Sequence, residues 1–223
     1  MSMSDLSSTD VLRALEDAYG ATTTVVVAIP ERNFDLPTRC QGWTVRDLLF
    51  HQLLDAALAT PAHRPPTTDF VDYWRDFKPG MPGSEEHADF VRKCAAAFSS
   101  ASVLVALWMH TSQAALHAAS ESDGGECVET QGLSIAVPDL VATLAVEAGI
   151  HHLDLTVELT PLAEPPWSAL RLVRRTLDGL LRMPLPSSWD DRVCALKGTG
   201  RLPLGAEDCE VLGGLAASFP LLG

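Results

Sequence analysis

Basic side chains are scarce. Sixteen Lys and Arg stand against 29 Asp and Glu, a formal net charge of −13 at pH 7. A nucleic-acid binder needs a cationic face to displace counterions from phosphates. Docking on an anionic lipid surface needs one too. No nucleic-acid partner and no membrane partner is therefore expected. Cysteine is equally thin: Cys40, Cys94, Cys127, Cys194 and Cys209 are scattered, with no C-x-x-C pair. That argues against a disulfide framework or a thiolate zinc cluster and suits a reducing cytoplasm. The longest apolar run, Val103–Met109, falls far short of the ~20 residues of a membrane-spanning helix. The opening residues carry neither a basic nor an apolar leader segment, so no secretory signal is expected. What remains is a chain of 223 residues, 47% hydrophobic and 20% charged, able to bury a sizeable core.

Hydrophobic periodicity predicts helices over Thr9–Ala28, capped by Ser8 or Thr9, and from Val45 to about Ala59. Thr44 and Asp47 resemble a capping box at the start of the second. Residues 61–82 form a long connection whose aromatic cluster, Phe70, Tyr73, Trp74 and Phe77, suits one short helix. A third helical stretch runs from Ser84 to about Ala119, with Ser99 and Ser100 as a bend or break. Cys127–Val137 reads as a hairpin turning at Gln131-Gly132, and Pro138 opens a helix to about Val157. Residues 1–158 thus predict an all-α bundle. Pro161, Pro165 and Pro166 mark a boundary to a small α/β appendage, 159–223. There a helix is expected over Trp167–Arg182, a short strand over Val193–Lys197 and a last helix over Ala206–Phe219.

The densest chemistry lies on the helix after Pro138. Glu147 and His151 are four residues apart, so a helix puts both on one face ~6 Å apart along the axis. A carboxylate and an imidazole so placed serve one divalent metal, or form an ordinary helix side-chain pair. Gly149 between them costs up to ~1 kcal/mol against alanine, which points to a close backbone approach or to room for a ligand. A third ligand would come from a neighbouring helix. His51 lies towards the apolar stripe of its helix. His110 and His117 are its competitors, and their seven-residue spacing spans about 10 Å, too far for both to join one ion.

Thr38-Arg-Cys-Gln-Gly-Trp43-Thr44-Val45-Arg46-Asp47-Leu48-Leu49-Phe50-His51 resembles the T-x-C-P-G-W-(S/T)-V-x-D-L-x-x-H signature of the mycothiol-dependent maleylpyruvate isomerase family. Glu147-x-x-x-His151-x-x-Asp154 resembles its second signature. The resemblance spans about the first 158 residues. It implies a DinB-like metal-binding four-helix bundle, with His51, Glu147 and His151 as the metal triad. Zinc is the implied ion, with nickel or another first-row metal as alternatives, and one position stays open to water or a thiol. Mycothiol is the implied cofactor, and the implied activity is a transferase or isomerase acting on a small electrophile. Asp154 would orient a ligand histidine. Gln41 replaces the motif's proline, which touches the turn and not the metal. In the short tail, Arg201 and Lys197 are the basic residues offered for the active site. The alternative is a non-catalytic metal-binding bundle with a sensor, regulatory or dimerisation role, its site closed by a fourth ligand such as His152 or Asp55. A homodimer is compatible with either.

Overall fold

The computed structural model describes residues 7–57, 59–78, 80–159 and 164–223. The opening residues Met1–Leu6 and the expected boundary at Pro161 lie outside the described residues. Helix α1 (Ser8–Ala28) starts from Ser7, one residue before the expected caps, because Asp10 stands three residues on. The Ser7 hydroxyl accepts from Asp10 N at 3.1 Å, and the Asp10 carboxylate accepts from Ser7 N at 3.3 Å. The reciprocal pair satisfies two of the donors that every helix start leaves open. The weak helix formers after Gly20 stay helical because Thr22, Val25 and Val26 are buried, so packing overrides propensity.

A 3-10 turn (Glu31–Asp35) leads to α2 (Val45–Ala57). Its start is the expected capping box: Thr44 N donates to Asp47 Oδ2 at 2.8 Å, and Asp47 N donates to Thr44 Oγ1 at 3.3 Å. Gly42, at φ +79°, makes the turn before it, a conformation that costs other residues strain. The connection to the next helix holds a two-residue strand, β1 (Thr60–Pro61), and a 3-10 turn at Asp72–Trp74.

The stretch from Ser84 is two helices, α3 (Ser84–Ala96) and α4 (Ala101–Glu121), bent by 114°. Ser100 is extended at φ −152°, and the new helix is held at its start by Glu31 Oε1, which accepts from Ala101 N at 2.7 Å. The hairpin is β2 (Cys127–Thr130) and β3 (Leu133–Ala136), with Thr130 opposite Leu133; β1 adds antiparallel to β2, with Thr60 opposite Glu129. Two residues carry no period, which is why β1 is invisible in the sequence. Helix α5 (Val137–Leu155) follows at once with Pro138 in its first turn.

Helices α1, α2, α4 and α5 pack around a common core, each against at least two of the others. Trp108 on α4 is fully buried there, edge-on to Tyr19 at 5.0 Å, with its indole N–H donating to Thr23 Oγ1 at 3.0 Å. Helix α6 (Trp167–Leu181) lies across α1 and α5. Gly149 is the contact point: a Cβ there would stand 3.1 Å from Ala169 Cβ. Close approach of α6, and not room for a ligand, accounts for that glycine.

The expected strand Val193–Lys197 is instead part of a helix, α7 (Asp191–Gly198). Asp190 caps it, accepting from Val193 N at 2.7 Å, and Cys194, Ala195 and Gly198 turn inward. A five-residue apolar run has no period that separates a strand from a buried helical turn. The last expected helix is α8 (Ala206–Leu212) followed by a 3-10 turn, Gly213–Ser218. The tail is therefore helical and not α/β among the described residues. No single helix among them is long and apolar enough to cross a membrane; α3 and α4 reach that length only as the bent pair.

Candidate metal centre

His51 comes from the second turn of α2, and Glu147 and His151 from successive turns of α5, where the two helices pack together. Glu147 Oε1 lies 3.1 Å from His51 Nε2 and 3.0 Å from His151 Nε2. The three donor atoms fall within 4.8 Å of one another. In a tetrahedral zinc centre, bonds of about 2.0–2.2 Å put neighbouring donors roughly 3.3 Å apart, so these residues have the chemistry and nearly the spacing of such a set. Asp55, one turn beyond His51, brings Oδ2 to 3.3 Å from His51 Nε2; this oxygen is buried and makes no hydrogen bond of good geometry. An orphaned carboxylate oxygen beside two imidazoles suits a cation.

The second atoms of these side chains are also held. His151 Nδ1 faces Asp154 Oδ2 at 3.0 Å. Asp154 is fully buried and takes the Arg201 guanidinium through Nε at 2.7 Å and Nη2 at 2.8 Å. Cys40 Sγ lies 3.3 Å from the same carboxylate and 3.7 Å from His151 Nδ1. His51 Nδ1 meets His87 Nε2 at 3.4 Å, and the Trp43 ring sits 5.0 Å from that of His51.

Electrostatics follow this wiring. Burial alone would raise Glu147, but the His151 charge and hydrogen bonds from both imidazoles hold it well below the carboxylate range. Burial would lower His151, and the Glu147 carboxylate leads the groups that instead carry it well above its ordinary value. For Asp55 burial prevails and pushes the carboxyl up to about 6.

The triad opens on a cavity of about 600 Å³. His51, Glu147 and His151, expected as one cluster, are brought together. His110 and His117 are exposed on α4 and stay apart. His152 is buried and belongs to neither cluster of potential ligands among the described residues. Arg201 lines the cavity, whereas Lys197 pairs with Asp208 at 2.6 Å and stacks over Trp189. His87, at the start of α3, is a site residue that sequence reasoning misses. Nothing in its local sequence says that α3 starts above His51.

The mycothiol maleylpyruvate isomerase N-terminal domain family matches residues 15–156. The chain belongs to that family. Comparison with curated proteins returns no match. Two solved structures share the fold: the mycothiol-dependent maleylpyruvate isomerase and a histidine-to-alanine mutant of it. Each is 16% identical, with a TM-score of 0.52 over 79% of this chain and 72% of the other.

Proposed function

We propose that the chain is a divalent-metal-binding, mycothiol-dependent transferase or isomerase acting on a small electrophile, with His51, Glu147 and His151 as the metal ligands. One observation carries this reading: Glu147 Oε1 within 3.1 Å of both imidazole Nε2 atoms, at the edge of a cavity of about 600 Å³. Zinc is the ion expected, and the five unpaired cysteines favour the cytoplasm. When bound, such an ion lowers the pKa of a thiol and supplies thiolate at neutral pH.

The chain's own residues prepare that chemistry. Asp154 accepts from His151 Nδ1–H, which selects the tautomer with a free Nε2 lone pair. Arg201 keeps Asp154 ionised and fixed. Trp43 and the cavity's apolar wall limit water at the open side. The regions 1–158 and 159–223 divide the work in this reading: the first holds the ligands, and the second adds Arg201 and Leu222 to the cavity.

A second reading draws on Asp55. Its carboxylate, 3.3 Å from His51 Nε2, would close the site as a fourth ligand and favour a non-catalytic, sensor-like bundle. Metal analysis of purified wild type beside His51→Ala, Glu147→Ala and Asp55→Asn tests both. The first reading expects about one ion per chain in wild type and in Asp55→Asn, and loss in the other two. Equal metal content in all four would overturn it. Adduct formation between mycothiol and a panel of electrophiles, present with metal and absent without, then separates the enzyme from the sensor.

A further inference from the structure

Behind the triad, where α2 meets α1 and α5, the core holds a polar side chain that the proposed chemistry does not use. Gln52 follows His51 on α2 and is 2% exposed, on a helix that also buries Leu48, Leu49 and Leu53. The chain's other glutamines, Gln41, Gln113 and Gln131, are all exposed. Both polar atoms of the Gln52 side chain, Nε2 and Oε1, are buried without a hydrogen-bond partner in the protein. Burying an amide in this way is costly, and nearly all buried polar groups in folded proteins are satisfied by protein or by ordered water.

Gln52 lines a small cavity of about 10 Å³ with Tyr19 on α1, Asp55 on α2, and Leu144, Glu147 and Ala148 on α5. One water needs roughly 10–15 Å³ and 2–4 polar partners. The cavity meets the lower limit of room and offers four polar side chains. The Gln52 amide both donates and accepts. Tyr19 is 3% exposed, and burial, joined by the Asp55 and Glu147 charges, pushes its phenol up, so the hydroxyl keeps a proton to donate. Asp55 Oδ2 is another buried atom without a hydrogen bond. Glu147 turns Oε1 to both imidazoles, which leave its second oxygen unused. Asp55 and Glu147 also line the large cavity, so the small one lies against the back of the triad.

We infer that a single water is bound here, accepting from Gln52 Nε2 and donating to the Glu147 carboxylate, and that Gln52 is through it a positioning residue for Glu147. Gln52 bonds neither carboxylate directly, so the water is the link. Groups that hold a metal ligand from behind govern affinity almost as the ligands do. The bound water rests on Gln52 and the cavity alone. The positioning role rests on the proposed function, because it takes Glu147 as a metal ligand.

The test begins with paired NOE and ROE spectra of the full chain, labelled with nitrogen-15 in its glutamine side chains. The Gln52 amide protons should give water cross peaks of opposite sign in the two spectra, the mark of a resident water and not of proton exchange. The same peaks in Tyr19→Phe exclude relay through the phenol. The Gln52 signal is the one lost in Gln52→Met, a variant of similar volume without an amide. Zinc is then titrated against a competing chelator. Gln52→Met should bind it ~10-fold or more weakly than wild type, with no rise in the Tm of the metal-free chain. An amide that is simply unsatisfied predicts the reverse, a higher Tm and unchanged zinc affinity, because an apolar side chain relieves its burial. That result overturns the inference, and so does a wild-type Gln52 amide without water cross peaks. Should Gln52→Met not fold, substituting the three exposed glutamines identifies the Gln52 signal, and the wild-type cross peak decides. A wild type that shows the water but takes up no zinc would sink the proposed function, and with it the positioning role, while the bound water stands.

Discussion

Arg201 and Asp154, 47 residues apart in sequence, form a two-pronged ion pair with Nε at 2.7 Å and Nη2 at 2.8 Å from the carboxylate. The side chain of Asp154 has no exposure and that of Arg201 has 14%. Removing one partner of a buried pair strands the other. Asp154→Asn and Arg201→Ala should each cost about 3–5 kcal/mol in urea unfolding. Arg201→Lys keeps the charge but loses the fork, so its cost should approach that of Arg201→Ala. A double-mutant cycle showing no coupling would contradict this geometry.

Zinc should stabilise the folded chain by mass action, because the triad is assembled only when α2 and α5 are packed. At a free ion concentration of 100 times Kd the gain is about 2.7 kcal/mol. Differential scanning fluorimetry should show a rise in Tm for wild type, reversed by a chelator, and none for His51→Ala.

Gly149 tests the seam between α5 and α6. A Cβ at this position would meet Ala169 Cβ at 3.1 Å and Val173 Cγ2 at 3.6 Å. Gly149→Val adds branched bulk where neither helix has space, and should cost about 1–3 kcal/mol by overpacking. An unchanged melting temperature would show that α6 does not press on α5 there.

Two cysteines should differ sharply in reactivity. Cys194 is fully buried, and burial pushes its thiol up to about 12, whereas Cys209 is exposed. Only thiolate attacks an alkylating agent. Iodoacetamide at about pH 8 should label Cys209 in the native chain and reach Cys194 only after denaturation, as read by peptide mass spectrometry.

Asp208 gives the tail a pH signature. Lys197, the Gly205 N–H and the Trp189 indole N–H all donate to its carboxylate, with Lys197 the leading influence, and hold its pKa below the ordinary value. A folded pKa below the unfolded one means that the stabilisation is complete above about pH 4 and is lost as pH falls through the folded value. The Tm gap between wild type and Asp208→Asn should therefore be widest near neutrality and close on acidification. A gap that widens in acid would refute the pairing.

The parts of this molecule that were legible in its sequence are those written in local periods and caps. Thr44 and Asp47 announce α2 because a capping box is a three-residue device, and Glu147 with His151 is visible because a helix turns residues four apart onto one face. The pairing of His51 with Glu147 came from the resemblance and not from spacing, since 96 residues separate them. What stayed hidden depends on tertiary placement. The start of α3 lies over His51, where His87 meets it across 36 residues of sequence, and no local period announces that contact. Val193–Lys197 misled because α7 packs on α6, with Gly198 against Leu177, and so short an apolar run carries no trace of that packing.

The reach of Arg201 back to Asp154 also sets an order of events during synthesis. Chain growth of about 5–20 residues per second puts the 47-residue interval at roughly 2–10 s. Throughout that time His51, Glu147 and His151 have all been made, while Asp154 still lacks its guanidinium and the cavity its Leu222 edge. Under the proposed function, an ion arriving then would meet a shallower, wetter site than the finished protein offers, so that loading would be open before the cavity is complete.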